Sequence, residues 1–90
     1  MRVARRFVIA GRVQGVGFRW FTHDTALREG LHGWVRNLAD RTVEVVVEGE
    51  SESVDRLEAA VRRGPSSARV ERVDVEDLAP KWRTTGFEIR

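Results

Sequence analysis

The stretch Phe7-Val8-Ile9-Ala10-Gly11-Arg12-Val13-Gln14-Gly15-Val16-Gly17-Phe18-Arg19 decides the fold, because it holds a strand, a glycine loop and a helix start in one run. Phe7 and Ile9 share a face at the two-residue period of a strand, which predicts β structure from about Val3 to Ala10. Phe18 to Glu29 predicts a helix that stops near Gly30, with Phe18, Phe21, Ala26 and Leu27 (and Leu31 just beyond) on its core-facing stripe. Between them, glycine tolerates positive φ, so the loop can turn several backbone N–H groups toward one point. The unpaired N–H groups and positive dipole end of the helix add to that point, and Arg19 sets a guanidinium fork beside it. The stretch therefore reads as a phosphate cradle. It reads also, on its own, as a tight turn followed by a solvent-facing arginine. Trp20 stands where the third glycine of G-x-G-x-x-G belongs, and no Gly-Lys-Ser/Thr follows, so neither familiar nucleotide loop is present.

Working outward, Gly33 to Leu38 predicts a short strand, Asp40-Arg41 a turn, and Thr42 to Glu48 a strand with Val43, Val45 and Val47 on one side. A second helix is expected to open at Ser51 as N-cap, bury Val54, Leu57, Ala60 and Val61, and end at Gly64-Pro65. In the strand expected from Ala68 to Glu76, Val73 and Val75 share a face while Val70 falls on the other, which suggests a bulge or an edge position. A loop over 79–86 leads to a last short strand with Phe87 and Ile89. The order β-α-β-β-α-β plus a short C-terminal strand predicts an α+β, ferredoxin-like (split βαβ) sandwich: an antiparallel sheet with two helices on one face. Residues 1–90 are expected to form one domain.

Composition narrows the chemistry. With no cysteine there is no disulfide, thiolate nucleophile or cysteine metal site, which fits a cytoplasmic setting. No apolar run is long enough for a signal peptide core or a transmembrane span. The pI of about 10.3 accompanies a net charge of only +2, because Lys81 is the one lysine among the 16 basic residues and arginines titrate late. Arginines are scattered among glutamates rather than gathered in a stripe, which argues against nucleic acid. His23 and His32 are the only histidines, lack carboxylates at ligand-like spacing and read as surface residues, and no serine sits on a nucleophile elbow. Any reaction must proceed without a covalent nucleophile, a metal or a titrating base.

Topology supplies another partner for the glycine loop. In the split βαβ order, the second strand climbs back to the level where the first helix began. About four residues at ~3.3 Å climb ~13 Å, and a helix of about twelve residues descends roughly 18 Å. The residue at that level is Asn37, which shares its parity with Val35 and so points toward the helix start if Val35 lies under the helices. A carboxamide donates and accepts hydrogen bonds without changing charge, which suits holding a water in line with a bound phosphorus. Asn37 can equally serve the hairpin turn.

The two stretches together resemble the acylphosphatase family, and the match runs over nearly the whole chain. One signature lies in Gly11 to Arg19, the other in Gly33-Trp34-Val35-Arg36-Asn37 and on through Val43 to Gly49; Gly64-Pro65 and the ending Phe87-Glu88-Ile89-Arg90 fit as well. The resemblance implies hydrolysis of the carboxyl–phosphate bond of acyl phosphates, releasing carboxylate and inorganic phosphate, with no cofactor and no metal. It implies phosphate binding by Gln14, Gly15, Val16, Gly17, Phe18 and Arg19, and catalytic roles for Arg19 and for Asn37, which positions the water. Arg41 departs from the family pattern, which has glycine there. If that position needs positive φ, arginine costs roughly 1 kcal/mol. A small-molecule substrate is expected, with no nucleic-acid or membrane partner, and the chain is expected to be a monomer, although sheet edges leave oligomeric state open. Three rivals stand beside this reading. An RNA-binding module would use Phe7 and Trp34 on an open sheet face. A regulatory domain would bind anions without turnover. A piece of a larger maturation factor is disfavoured by the start at Met1 and the end on the last strand.

Overall fold

The longest strand, β1 (Arg2–Arg12), is paired on both sides, and the rest of the sheet is laid out from it. A computed structural model describes residues 1–90. After β1 come α1 (Phe18–Arg28), β2 (His32–Asn37), β3 (Val43–Glu50), α2 (Ser51–Arg63), β4 (Arg69–Leu78) and β5 (Phe87–Ile89), and the sheet order is β4-β1-β3-β2-β5. Phe7, Ile9, Val35, Val43, Val45 and Val47 line one sheet face and pack against Phe18 and Ala26 of α1 and Val54, Leu57 and Val61 of α2. Each such fully buried side chain contributes about 1.5–3 kcal/mol. Two helices on one face of a split βαβ sheet is the expected architecture. β5 adds a detail: it joins β2 in parallel, so the sheet is mixed at that edge. β4 ends at the level where β2 begins (Leu78 opposite Ala4, Phe87 opposite Gly33), and the 79–86 segment crosses there to the far edge, so β5 runs opposite to β4 and in the direction of β2.

Several local expectations change. Leu27 is 54% exposed rather than core-facing, because it lies nine residues after Phe18, about 180° round the helix. Thr22 and Thr25 take the inward positions instead. Their hydroxyls donate to the Phe18 and Phe21 carbonyls at 2.9 and 3.0 Å, which removes the penalty for burying them. Ser51 is not the N-cap of α2. Glu50 holds that position, still extended from β3, and the Ser51 N–H donates to the Met1 carbonyl (2.8 Å), so the strand passes into the helix with no loop for a cap. The histidines are not open surface groups: His32 Nδ1 accepts from the Gly86 N–H (3.2 Å), and the buried His23 Nδ1 has no hydrogen-bond partner. The irregularity expected around Val70 is both a bulge and an edge. β4 is an outer strand, and its register with β1 shifts between Ala10 and Gly11, letting Val70 and Val73 both pack on the core. Gly11 permits this: its φ is +128°, and a Cβ there would lie 2.1 Å from the Arg69 carbonyl oxygen.

Two carboxylates are buried on the sheet face away from the helices. Glu44 accepts from Arg6 Nε (2.7 Å), Arg36 Nε (2.6 Å) and the Trp34 indole N–H (3.4 Å). Glu48, fully buried, accepts from Arg2 Nε (2.8 Å), Arg83 Nη1 (3.1 Å) and the backbone N–H groups of Lys81 (2.9 Å) and Arg83 (3.3 Å), which fastens the 79–86 segment across that face. Beyond it, the Gly33 N–H donates to the Gly86 carbonyl (3.0 Å) where β5 meets β2.

The β2–β3 turn keeps a left-handed residue, and Arg41 supplies it with φ at +73°. A side chain there is strained, whereas glycine is not. Arg41→Gly is expected to raise stability by about 0.5–1 kcal/mol, part of the relief being offset by the freedom glycine adds to the unfolded chain. Equilibrium denaturation checks this; an unchanged or lower midpoint would mean that the Arg41 side chain stabilises the turn.

Candidate active site

The loop from β1 to α1 leaves a run of donors without partners. Gly15 and Gly17 have φ of +73° and +78°, and Gly17 is the N-cap of α1 with no side chain to satisfy the helix end. The first hydrogen bond of that helix is from the Phe21 N–H to the Gly17 carbonyl (3.0 Å), and none of the N–H groups from Gly15 to Trp20 has a protein acceptor. Such a set of donors at a helix N-terminus suits an anion. Gly15, Gly17, Phe18, Arg19, Trp20 and Asn37 line a cleft of about 140 Å³ here. At ~30 Å³ per water, it accepts about five water-sized groups, the scale of a phosphoryl group with an attacking water.

Arg19 and Asn37 thus come together across this cleft, 18 positions apart in sequence. Arg19 is braced: Nη1 donates to the Arg90 carbonyl (3.2 Å), while the Arg90 N–H donates to the Val35 carbonyl (2.8 Å). Asn37 ends β2, and its side chain makes no hydrogen bond within the protein, so its amide is available to the cleft. It does not serve the turn. That work falls to the Leu38 N–H on the Thr42 carbonyl (2.9 Å) and to Asp40 Oδ1, which accepts from the Thr42 N–H (3.1 Å) and hydroxyl (2.5 Å). The bonds from Thr42 hold the Asp40 carboxyl below the usual carboxylate range.

The other expected loop residues divide. The Phe18 ring is buried in the core, so only its backbone N–H is open to the cleft. The Val16 side chain packs on the core and its carbonyl accepts from Ser67 Oγ (3.0 Å). The Gln14 side chain is directed away from the cleft, with Nε2 donating to the Leu38 and Thr42 carbonyls at 2.9 and 3.0 Å. It joins the loop to the hairpin that carries Asn37. Reading by residue type missed that positioning role, and also the brace from Arg90 and the exposed Trp20 in the cleft wall. A larger cleft of about 310 Å³ lies beside Arg12 and Arg41 but includes neither Arg19 nor Asn37.

The sheet offers no aromatic platform for RNA bases. Phe7 is buried, and Trp34 lies between the Arg83 and Arg90 guanidiniums, 4.9 and 4.2 Å from its ring centroid. No helix is long and apolar enough to cross a membrane.

An α+β split βαβ sandwich with unpartnered amides at the start of the first helix, faced by an uncommitted asparagine, defines a class of small domain with a cleft suited to an anion. The match to known proteins is specific within that class. A family model described as acylphosphatase matches residues 5–89. The acylphosphatase of Pseudomonas paraeruginosa is 52% identical over 89 residues, covering 99% of this chain and 97% of that one. The acylphosphatase of Thermococcus kodakarensis is 53% identical over 88 residues, covering 98% and 96%. The solved structure of an acylphosphatase from Coxiella burnetii superposes with a TM-score of 0.93 at 32% identity, covering 99% of this chain and 93% of that one. The chain belongs to the acylphosphatase family, enzymes that act on small-molecule acyl phosphates.

Proposed function

We propose that this chain hydrolyses the carboxyl–phosphate bond of acyl phosphates without a metal, by in-line attack of a water that Asn37 holds against a phosphoryl group bound by the 14–19 loop and Arg19. The observation that carries the proposal is the single cleft shared by unpartnered loop amides, the Arg19 guanidinium and the free Asn37 carboxamide. The water oxygen forms a bond to phosphorus while the bond from phosphorus to the acyl oxygen breaks, and its electron pair leaves with the carboxylate. A proton of the water passes to a phosphate oxygen, so the products are carboxylate and dihydrogen phosphate. The leaving carboxylate has a pKa of about 4, so no general acid is needed. Catalysis then rests on placing the water and on donors to the equatorial oxygens. Backbone amides from Gly15 to Phe18 and Arg19 supply those donors. A monomer acting in the cytoplasm completes the proposal.

The test is phosphate release from benzoyl phosphate with chelator present, beside a phosphate monoester. Turnover of the acyl phosphate alone, unaffected by chelator, is the expected result. Dependence on added Mg²⁺ would remove the metal-free scheme. Phosphate binding with no turnover would leave only an anion-binding domain.

A further inference from the structure

The largest cleft of the molecule has no part in the proposed reaction. It measures about 310 Å³ and is bordered by Gly11, Arg12, Val13, Gln14 and Arg41, between the end of β1 and the β2–β3 turn. We propose that it is a second anion site, taking a phosphate or carboxylate group beside the cleft that holds Arg19 and Asn37.

Three observations support this. First, the cations here are not neutralised. Arg12 and Arg41 line the cleft, are exposed and make no ion pair, and the exposed Arg69 makes none either; Arg28 and Arg63 are also exposed and unpaired, but neither borders a cleft. Arg69 lies directly opposite Arg12 in the β1–β4 register, a like-charge pairing that disfavours the sheet unless an anion relieves it. Second, the nearby carboxylates do not fill the gap. Asp40 is turned onto Thr42 and makes no ion pair, while Glu71, the extra residue of the bulge, is exposed and unpaired. Third, Arg41 stands in the cleft wall on a left-handed backbone that glycine would occupy without strain. Strain of this kind persists where surrounding structure or function requires it. Guanidinium forks match phosphate and carboxylate oxygens in pairs, which sets the chemistry of the occupant.

The site adjoins the reaction without containing Arg19 or Asn37. Val13 borders both clefts, and Gln14, which borders the larger one, is bonded to the hairpin between Asn37 and Arg41. The anion has two possible sources: a free phosphate, or a second anionic group at the far end of the substrate's acyl chain. The second source rests on the proposed function, whereas the binding site does not.

The experiment compares wild type, the double variant Arg12→Gln/Arg41→Gly, Arg19→Ala, and Arg62→Gln as a net-charge control. Titration with inorganic phosphate is expected to show two sites in wild type and in Arg62→Gln. The double variant should lose one and Arg19→Ala the other. Two acyl phosphates then separate the sources, benzoyl phosphate and succinyl phosphate with its free carboxylate. A fall of about tenfold in kcat/KM for succinyl phosphate only, in the double variant, identifies the acyl chain as the source. Unchanged kcat/KM for both, with the second phosphate lost, identifies free phosphate. A wild type that binds two phosphates but hydrolyses neither substrate keeps this site and overturns the proposed function. One phosphate per chain in wild type, with both substrates affected alike in the double variant, would overturn the second site. The Arg41→Gly change relaxes the turn, and a denaturation curve on each variant keeps misfolding apart from lost binding.

Discussion

Asn37→Ala is expected to lower kcat on an acyl phosphate by at least about 10²-fold while leaving inorganic phosphate inhibition nearly unchanged, and Arg19→Ala to lose both. Removing one preorganised donor from a site of developing charge costs about 10²–10³ in kcat, and misplacing a reactant by an ångström is of similar weight. The two residues act on different atoms in the proposed reaction. Asn37 touches the attacking water, which is absent from the phosphate-bound ground state, so its loss is felt in kcat. Arg19 touches phosphate oxygens in ground and transition states alike, so its loss raises KM and the phosphate inhibition constant as well. The Asn37 side chain makes no hydrogen bond within the protein, so the alanine variant is expected to fold as wild type does. Steady-state kinetics with phosphate as inhibitor separates the outcomes. Full activity in Asn37→Ala would remove the water-positioning role, and a phosphate inhibition constant unchanged in Arg19→Ala would remove the arginine from the cradle.

The second large effect is structural. Glu48→Gln is expected to destabilise the fold by roughly 3 kcal/mol, because removing one partner of a buried ion pair leaves the others uncompensated. For a chain of this size that corresponds to a fall in Tm of about 12–24 °C. Burial pushes the Glu48 carboxyl up, but the Lys81 N–H and the Arg2 hydrogen bond outweigh it, and the net shift is down from the ordinary value of 4.5. Between its native pKa and 4.5, the unfolded chain binds the proton that the folded chain does not, so stability rises with pH there. The contribution is complete above 4.5 and is lost as pH falls through the lower native value. Thermal melts from pH 7 to pH 3 should therefore converge for wild type and Glu48→Gln at the acid end. Parallel curves would show that Glu48 is not the group responsible. Activity is expected to fall too, since Glu48 fastens the 79–86 segment that leads to β5 and to the Arg90 carbonyl bracing Arg19.

Much of this was legible before any coordinates. The valine face of Val43–Val47 and the helical spacing of Val54–Val61 reach the structure unchanged, because each buries its apolar side whichever partner covers it. That Glu44 and Glu48 on the opposite face of β3 are buried as well was decided by the arginines and the 79–86 segment that cover them. Stripe positions failed where polarity misled: Thr22 and Thr25 look like surface residues until their hydroxyls return to the preceding turn, and Leu27 looks like core until the helix is given its rotation. The glycine loop and the level of Asn37 could be placed because φ freedom and rise per residue are local quantities.

What the sequence by itself determined is the order of elements, the family, and the two candidate groups, Arg19 and Asn37, each tied to a signature stretch of its own. What only the tertiary structure decided is which groups are free and which are committed. Gln14 lies inside the glycine loop yet bonds the hairpin, Asn37 lies at a hairpin yet its side chain stays unpaired, and Arg19 depends on a carbonyl 71 positions away. The physical reason is that a hydrogen bond needs its acceptor within about 3 Å and in line, and such distances are set by how the β1 loop, the hairpin and β5 pack together.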